Sequence, residues 1–504
     1  MGEYLIGIDC STQSTKAVAW DLQGRAIAEG RAPLRVSHPA PGWAEQDPAE
    51  WWESTAAALR QVAATVDARR VLAVGLAWQR ETFLALDADW QPLRPAILWL
   101  DQRATREAAE ARQDFGAERF LEITGKQLDT TPSFVKLLWM RAQEPERFRR
   151  VAHILDVGGY LAGQLTGEAR SCTAGGDSLG LMGTARGAWS EDLMGYLGLP
   201  TAVLPAVVPP GAPLGRLSSE AAEATGLRAS TPVVAAGGDG QVFAVGAHAP
   251  GRDAFSLTVG TSLVLGLHWP SYRVGPAYRT MAGCYPDSFL LEAVLRAGAD
   301  IVRWFVQDFA RGQSEEAMEA AISNVPAGCL GLLTVPYWKG RMVPTNAPLA
   351  RGVTVGWSDY HTQAHFYRSI LEGMAYEVRL CIESYERELG VAPSEIHMGG
   401  GGALSPTWRQ IMADVSGKEV VLSAAESTAL GAAMLAATAI GAYATAAEAS
   451  AAMYRPTLRI APRPQVAALY DGLYRDYYAQ LYPLLEPILV ALGRQALEKN
   501  TPGR

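Results

Sequence analysis

The chain has 504 residues, 49% of them hydrophobic and 19% charged, with a formal net charge of -8. That balance buries large cores and excludes a disordered chain, and the length suits roughly two to four domains. An acidic chain without a long basic run is not built for nucleic acid as its main partner.

In chain order, YLIGID (4–9) and KAVAW (16–20) are predicted to be buried strands, joined by the hydroxyl-dense turn Cys10-Ser11-Thr12-Gln13-Ser14-Thr15. RAIAEG (25–30) makes a third strand of the meander. Such a turn offers backbone N–H groups and hydroxyls to phosphate oxygens, with Lys16 beside them. Asp9 can hold a hydrated Mg²⁺, which takes one or two carboxylates and keeps several waters. An ordinary polar hairpin turn fits the same residues.

Residues 46–66 carry Trp51, Trp52, Leu59 and Val62 at helical spacing after the start signal Asp47-Pro48. VLAVGLAW (71–78) is a strand leading into Gln79-Arg80-Glu81-Thr82, FLALD (83–87) another, and PAILWLDQRA (95–104) a third ending in Asp101 and Arg103. Arg80, Glu81, Trp99 and Asp101 then sit at strand ends that can face one cleft. Polar groups flanked by tryptophan suit a polyhydroxylated ligand. A surface ion pair between Arg80 and Glu81 is the alternative.

Residues 105–165 are mostly helical in pattern, and the Gly/Pro-rich stretch 172–230 is expected to be a long irregular connection. It ends at TPVVAAGGDGQVFAVG (231–246), which predicts a buried strand, a glycine turn and a helix. The turn's one charge is Asp239. A carboxylate there can act as a general base toward a substrate hydroxyl, or simply cap the helix. His248-Ala249-Pro250-Gly251 is the expected boundary, dividing the chain into domains 1–248 and 249–504.

AFSLTVGTSLVLGLHW (254–269) repeats the strand, hydroxyl turn, strand design of the amino terminus, which suggests two domains of similar topology with a cleft between them. Gly298 opens a helical stretch, and 352–385 ends in a long amphipathic helix. Gly399-Gly400-Gly401-Gly402-Ala403, between a strand and a helix, lets a flat ring or a phosphate approach backbone. Gly125-Lys126 and Gly417-Lys418 lack the rest of a Walker P-loop. Residues 427–447, uncharged and rich in Ala, Gly and Thr, predict a buried helix rather than a membrane span, and 463–492 look helical and peripheral. The five cysteines (Cys10, Cys172, Cys284, Cys329, Cys381) are scattered without C-x-x-C pairs, suiting a reducing cytoplasm and no zinc site. MGEYLIGID has no basic segment before its apolar part, so no signal peptide is expected.

The ordered set IGIDCSTQSTKAVAWD, PAILWLDQRA, VVAAGGDGQVFAVG, LTVGTSLVL, PTNAPLARGVTVGW with FYRSILEGMAYEV, GGGGALSPTWRQIMADVSG and ESTALGAAMLA resembles the FGGY family of carbohydrate kinases, in the actin and hexokinase superfamily. The resemblance implies an α/β chain of two ribonuclease-H-like domains. Each has a mixed five-stranded sheet flanked by helices, and the active-site cleft lies between them. It implies ATP with Mg²⁺, a small sugar acceptor, no nucleic-acid or membrane partner, and is compatible with a homodimer. Asp239 resembles the general base and Asp9 the magnesium-side aspartate, with Asp239 sharing the metal. Ser11, Thr12, Gln13 and Lys16 fall on the first phosphate turn and Gly260 and Thr261 on the second. Gly298, Gly401, Gly402 and Ala403 fall near the nucleotide. Arg80, Glu81, Trp99, Asp239 and Gln241 fall on the acceptor side. The turns read most like those of xylulokinases, implying a ketopentose such as xylulose. Gln79-Arg80-Glu81-Thr82 has the glycerol-kinase form instead, which widens the acceptor class to polyols and sugar acids. Ser11 stands where many members have Gly, and GRMVP (340–344) lacks a Glu of the xylulokinase pattern. A sugar-independent ATPase switch is the reading from another class.

Overall fold

The structure, a computed structural model, describes residues 2–500 apart from 345, 346, 348, 424 and 425, and side chains as far as 495. The PTNAPLARGVTVGW stretch therefore lies partly outside the described residues.

Two sheets organise the chain. In the first, Tyr4–Cys10 lies at the centre, antiparallel to Ser14–Asp21, which is antiparallel to Ala26–Pro33. On its other side Tyr4–Cys10 runs parallel to Val71–Trp78, and that strand runs parallel to Pro232–Gly238. The second sheet repeats this order: Ala254–Val259, Leu263–Trp269 and Phe289–Leu295 form the meander, and Glu395–Gly399 and Glu419–Leu422 are the parallel strands. The parallel strands are near-continuous apolar runs because both faces are covered. Each helix-and-sheet half has its own core, and a third core, which includes Phe83, Phe120, Phe134 and Leu193, fills the largely helical stretch 83–204.

The sheets are larger than the five strands implied by the resemblance: six in the first and seven in the second. The additions are short antiparallel edge strands, Pro213–Arg216 on the first sheet and Arg279–Ala282 and Leu458–Ile460 on the second. They satisfy backbone groups that an open edge would leave to solvent.

Two expectations need correction. Residues 172–230 are not an irregular connection. They hold the helices Thr173–Gly176, Glu191–Leu197 and Ser219–Thr225 and several short strands. Each is too brief to impose a periodicity on the sequence. In PAILWLDQRA only Ala96–Ile97 is strand, and Asp101 N–H turns back to the Leu98 carbonyl. Asp101 is fully buried there. It accepts from Ala44 N at 2.6 Å and pairs with Arg103, so it braces the turn rather than facing a cleft.

The uncharged stretch does form a buried helix, Ser427–Ala439, and it lies against the first sheet although it follows the second in sequence. Glycine at three facing positions allows this approach. A Cβ would fall 1.7 Å from the Ala429 carbonyl oxygen at Gly7, 2.0 Å from that of Ala432 at Gly75, and 1.8 Å from that of Ser427 at Gly246. Backbone cannot yield as a side-chain tip can. Gly246→Ala is expected to destabilise the protein by about 1–3 kcal/mol, read as a lower urea midpoint. Gly472→Ala, on a helix with open space around it, should leave that midpoint unchanged or raise it. Among the described residues no helix is long and apolar enough to cross a membrane.

Candidate active site

Asp239 opens the helix Asp239–Gly246 directly after the strand Pro232–Gly238. Its side chain is 38% exposed. The Oδ1 atom accepts from Arg80 Nε at 2.9 Å and from Gly240 N at 2.8 Å. No protein donor reaches Oδ2 among the described residues. The flanking glycines have a steric cause. A Cβ at Gly238 would lie 2.4 Å from Arg80 Cδ, and one at Gly240 2.7 Å from an Arg80 guanidinium nitrogen. The glycine turn is thus shaped to let an arginine lie across it.

Arg80 follows the strand Val71–Trp78 and is buried. Its Nη1 donates to Glu292 Oε2 at 2.8 Å and to Gln241 Oε1 at 3.2 Å, and Nη2 donates to Glu292 Oε1 at 3.2 Å. Glu292 lies on Phe289–Leu295 of the second sheet and is wholly buried. It also accepts from Arg279 Nε at 2.8 Å, and Arg279 Nη1 donates to Glu81 Oε1 at 2.6 Å. Burial alone would raise the Glu292 pKa, but the guanidinium groups of Arg279 and Arg80 hold it down at about 2. Glu81 itself has a left-handed backbone, φ 51°, and is pinned by Ser178, Ser133 and Lys136 at its own N–H and carbonyl. Gln241 is fully buried, its oxygen on Arg80 and its amide donating to Asp177 at 3.2 Å. Thus Arg80, Glu81 and Gln241 gather around Asp239, engaged by charges from both sheets.

The same seam is fastened further out. Lys126, buried, donates to Asp177, Thr184 and the Thr280 carbonyl of the second sheet's edge strand. Burial drives its pKa down, against the pull of Asp177. Asp177 also accepts from Ala282 N at 3.0 Å.

The first hydroxyl turn sits beside these groups. Thr12 Oγ1 donates to Gln79 Oε1 at 3.0 Å and accepts from Trp99 Nε1 at 3.0 Å, so Trp99 and the turn form one wall. Ser11 Oγ closes the turn on Ser14 O, and Gln13 is exposed. Lys16 Nζ bonds both carboxylate oxygens of Glu426 at 2.7 Å. Asp9 is the cross-strand neighbour of Lys16, and its Oδ1 is buried with no partner among the described residues. Burial, then the negative field of Asp239, pushes the Asp9 carboxyl up to about 7. The two aspartates therefore share one crevice.

At the second turn, Gly260 N donates to Ser262 O, and Gly260 O accepts from Ala299 N. Gly298 lies against that turn, where a Cβ would stand 2.6 Å from Gly260 O and 2.7 Å from Thr261 O. The glycine run backs onto the strand feeding the turn: a Cβ at Gly402 would meet Val259 at 2.3 Å, while Gly401 faces open space and Ala403 is buried. Gly260, Thr261, Gly298, Gly401 and Gly402 are thus brought together.

Sequence reasoning missed Arg279, Glu292, Asp177 and Glu426. A usable signal was present for two: Glu292 interrupts the apolar strand FLLEAVL, and Arg279 sits in YRTMAG. A lone charge inside a buried strand needs a partner.

Residues 4–246 match the N-terminal domain, and residues 255–440 the C-terminal domain, of the FGGY family of carbohydrate kinases. The chain is 31% identical to a xylulose kinase of Escherichia coli over 82% of this chain and 85% of that protein. It is 31% identical to a glycerol kinase of Methylibium petroleiphilum over 88% of this chain and 91% of that one. Among solved structures, the xylulose kinase of Rhodospirillum rubrum superposes with a TM-score of 0.86 at 29% identity, covering 97% of this chain and 100% of that one.

Proposed function

The chain belongs to the FGGY family of carbohydrate kinases, ATP-dependent enzymes that phosphorylate a sugar hydroxyl, and from that premise we propose that Asp239 is the general base acting on a ketopentose such as xylulose. The observation that carries this reading is the carboxylate of Asp239. It is half-exposed at the mouth of a crevice, with one oxygen fixed by Arg80 and Gly240 and the other free of protein donors. The free oxygen is the one that can receive a proton.

In this mechanism the acceptor hydroxyl lies between Asp239 and the Trp99 side of the first turn. Its oxygen attacks the γ-phosphorus of ATP as the bond from that phosphorus to the ADP oxygen breaks. The electron pair leaves with ADP, and the hydroxyl proton passes late to Asp239, because a loose transition state needs little early proton removal. Holding the partners in line supplies much of the rate. Arg80, Glu81 and Gln241 act on the acceptor side by fixing the base and the wall beside it. Ser11, Thr12, Gln13 and Lys16 serve the phosphates from one side and Gly260 and Thr261 from the other. Gly298, Gly401, Gly402 and Ala403 border the nucleotide. We place the crevice between domains 1–248 and 249–504.

A Mg²⁺ ion fits the donor set. Asp9 has a buried carboxylate oxygen without a partner, and Asp239 an open one, and Mg²⁺ takes one or two carboxylates together with substrate phosphates. Asp9 and Asp239 would hold it, and when bound it offsets charge on the transferring oxygens. Five buried, unpaired thiols suit a reducing cytoplasm.

The polyol reading rests on Gln79-Arg80-Glu81-Thr82. Coupled ADP release with D-xylulose, D-ribulose, L-xylulose, glycerol, erythritol and gluconate separates the two. We expect the highest kcat/KM with D-xylulose. A glycerol value above it would move the substrate to the polyols, and equal ADP release without any acceptor would overturn the kinase reading.

A further inference from the structure

The carboxy-terminal helices end the second half on a face that water does not ordinarily keep. The helix Pro464–Leu473 runs on through residues 474–478 into Ala479–Asn500. Tyr474, Tyr478, Tyr482 and Leu489 point inward to the core. On the outer side Tyr477 is 60% exposed, Leu484 74%, Ile488 60% and Leu492 52%. Leu484, Ile488 and Leu492 recur every four residues and Tyr477 stands one heptad earlier, so all four share one stripe. Between Asp476 and Arg494 the sequence YYAQLYPLLEPILVALG holds a single charge, Glu486. A solvent-facing helix normally carries its charged residues on the outer face. An exposed apolar stripe of this length marks an interaction surface.

We propose that this stripe is covered by the same stripe of a second copy of the chain, the two helices antiparallel about a two-fold axis near Leu485. The charges at its ends fit that occupant. Asp476 and Arg494 stand nine positions either side of Leu485, which by residue number puts them about five turns apart and therefore on the same flank of the helix. Neither side chain makes an ion pair among the described residues, whereas the neighbouring Arg475 pairs with Asp471. A two-fold axis through Leu485 carries Asp476 of one copy beside Arg494 of the other, and repeats the pair at the far end. A parallel pairing would set like charges together. An apolar centre closed by two reciprocal ion pairs is the pattern of an isologous interface. The inference is independent of which sugar is phosphorylated.

Sedimentation velocity on the full chain, from about 1 to 100 µM, tests it. The wild type should sediment as a dimer in the upper part of that range. Leu484→Glu with Ile488→Glu should give monomers that keep sugar kinase activity. Arg494→Asp should weaken the dimer roughly tenfold, and Arg494→Asp combined with Asp476→Arg should restore it. If the apolar double variant fails to fold, judged by circular dichroism, the charge series alone decides, because both positions are exposed. A wild type that stays monomeric throughout overturns the proposal, and one that then binds vesicles of anionic phospholipid assigns the stripe to a lipid surface. A dimer indifferent to the charge reversals overturns the antiparallel pairing.

Discussion

Asp239→Asn is expected to lower kcat for sugar phosphorylation by about 10²–10⁴-fold, the range for loss of a general base, while ATP affinity changes little. Asparagine keeps an oxygen where Oδ1 accepts from Arg80 and Gly240, so the turn keeps its shape. What changes is the second, open position, where an amide cannot take a proton. Because the geometry survives, the loss reports chemistry rather than folding, and an unchanged Tm should accompany it. Steady-state kinetics with the best acceptor and titration of an ATP analogue provide the two readings. Residual kcat above about a tenth of wild type would remove Asp239 from the role of base.

The second large effect is expected at Glu292. Glu292→Ala leaves the guanidinium groups of Arg80 and Arg279 buried without their shared carboxylate. Breaking a buried pair this way costs about 3–5 kcal/mol. Sugar kinetics should suffer too, since Arg80 is what holds Asp239 Oδ1. Glu292→Gln keeps one acceptor oxygen and the side chain's volume, and should fall between wild type and alanine in both urea midpoint and kcat/KM. A midpoint for the alanine variant within about 1 kcal/mol of wild type would show that the two arginines find other partners or water. The pH dependence follows from the same pairing. The Glu292 pKa is held at about 2, below the model value of 4.5 for an unpaired glutamate. The unfolded chain therefore binds this proton first as acid is added. The stability contributed by ionised Glu292 is fully present above about pH 4.5 and is lost as pH falls toward 2. Wild type should lose stability across that window more steeply than Glu292→Gln, measured by urea unfolding at stepped pH.

The catalytic carboxylate was legible because its neighbours were. Glycines on both sides of Asp239, at the end of a buried strand, mark a turn stripped of side chains, and the structure shows what fills the space: Arg80. The two hydroxyl turns were legible for a similar reason, each set between apolar strands of opposite direction. The edge strand Arg279–Ala282 and the short elements of 172–230 were not, since four residues or fewer, or a single turn, carry no period to read. Asp101 misled for the opposite reason: an acidic residue after an apolar run looks the same whether the strand continues or has already turned inward at Leu98.

By itself the sequence determined the strand and turn inventory of both halves, the buried character of Ser427–Ala439 and the presence of a carboxylate at Asp239, because burial periodicity and glycine placement are local properties. Only the tertiary structure decided that Glu292 and Arg279 reach across to Arg80 and Glu81, that Glu426 meets Lys16, and that Ser427–Ala439 lies on the first sheet. Those pairings join residues hundreds of positions apart, and a side chain's partner is fixed by how two sheets come to face each other, which no local pattern encodes.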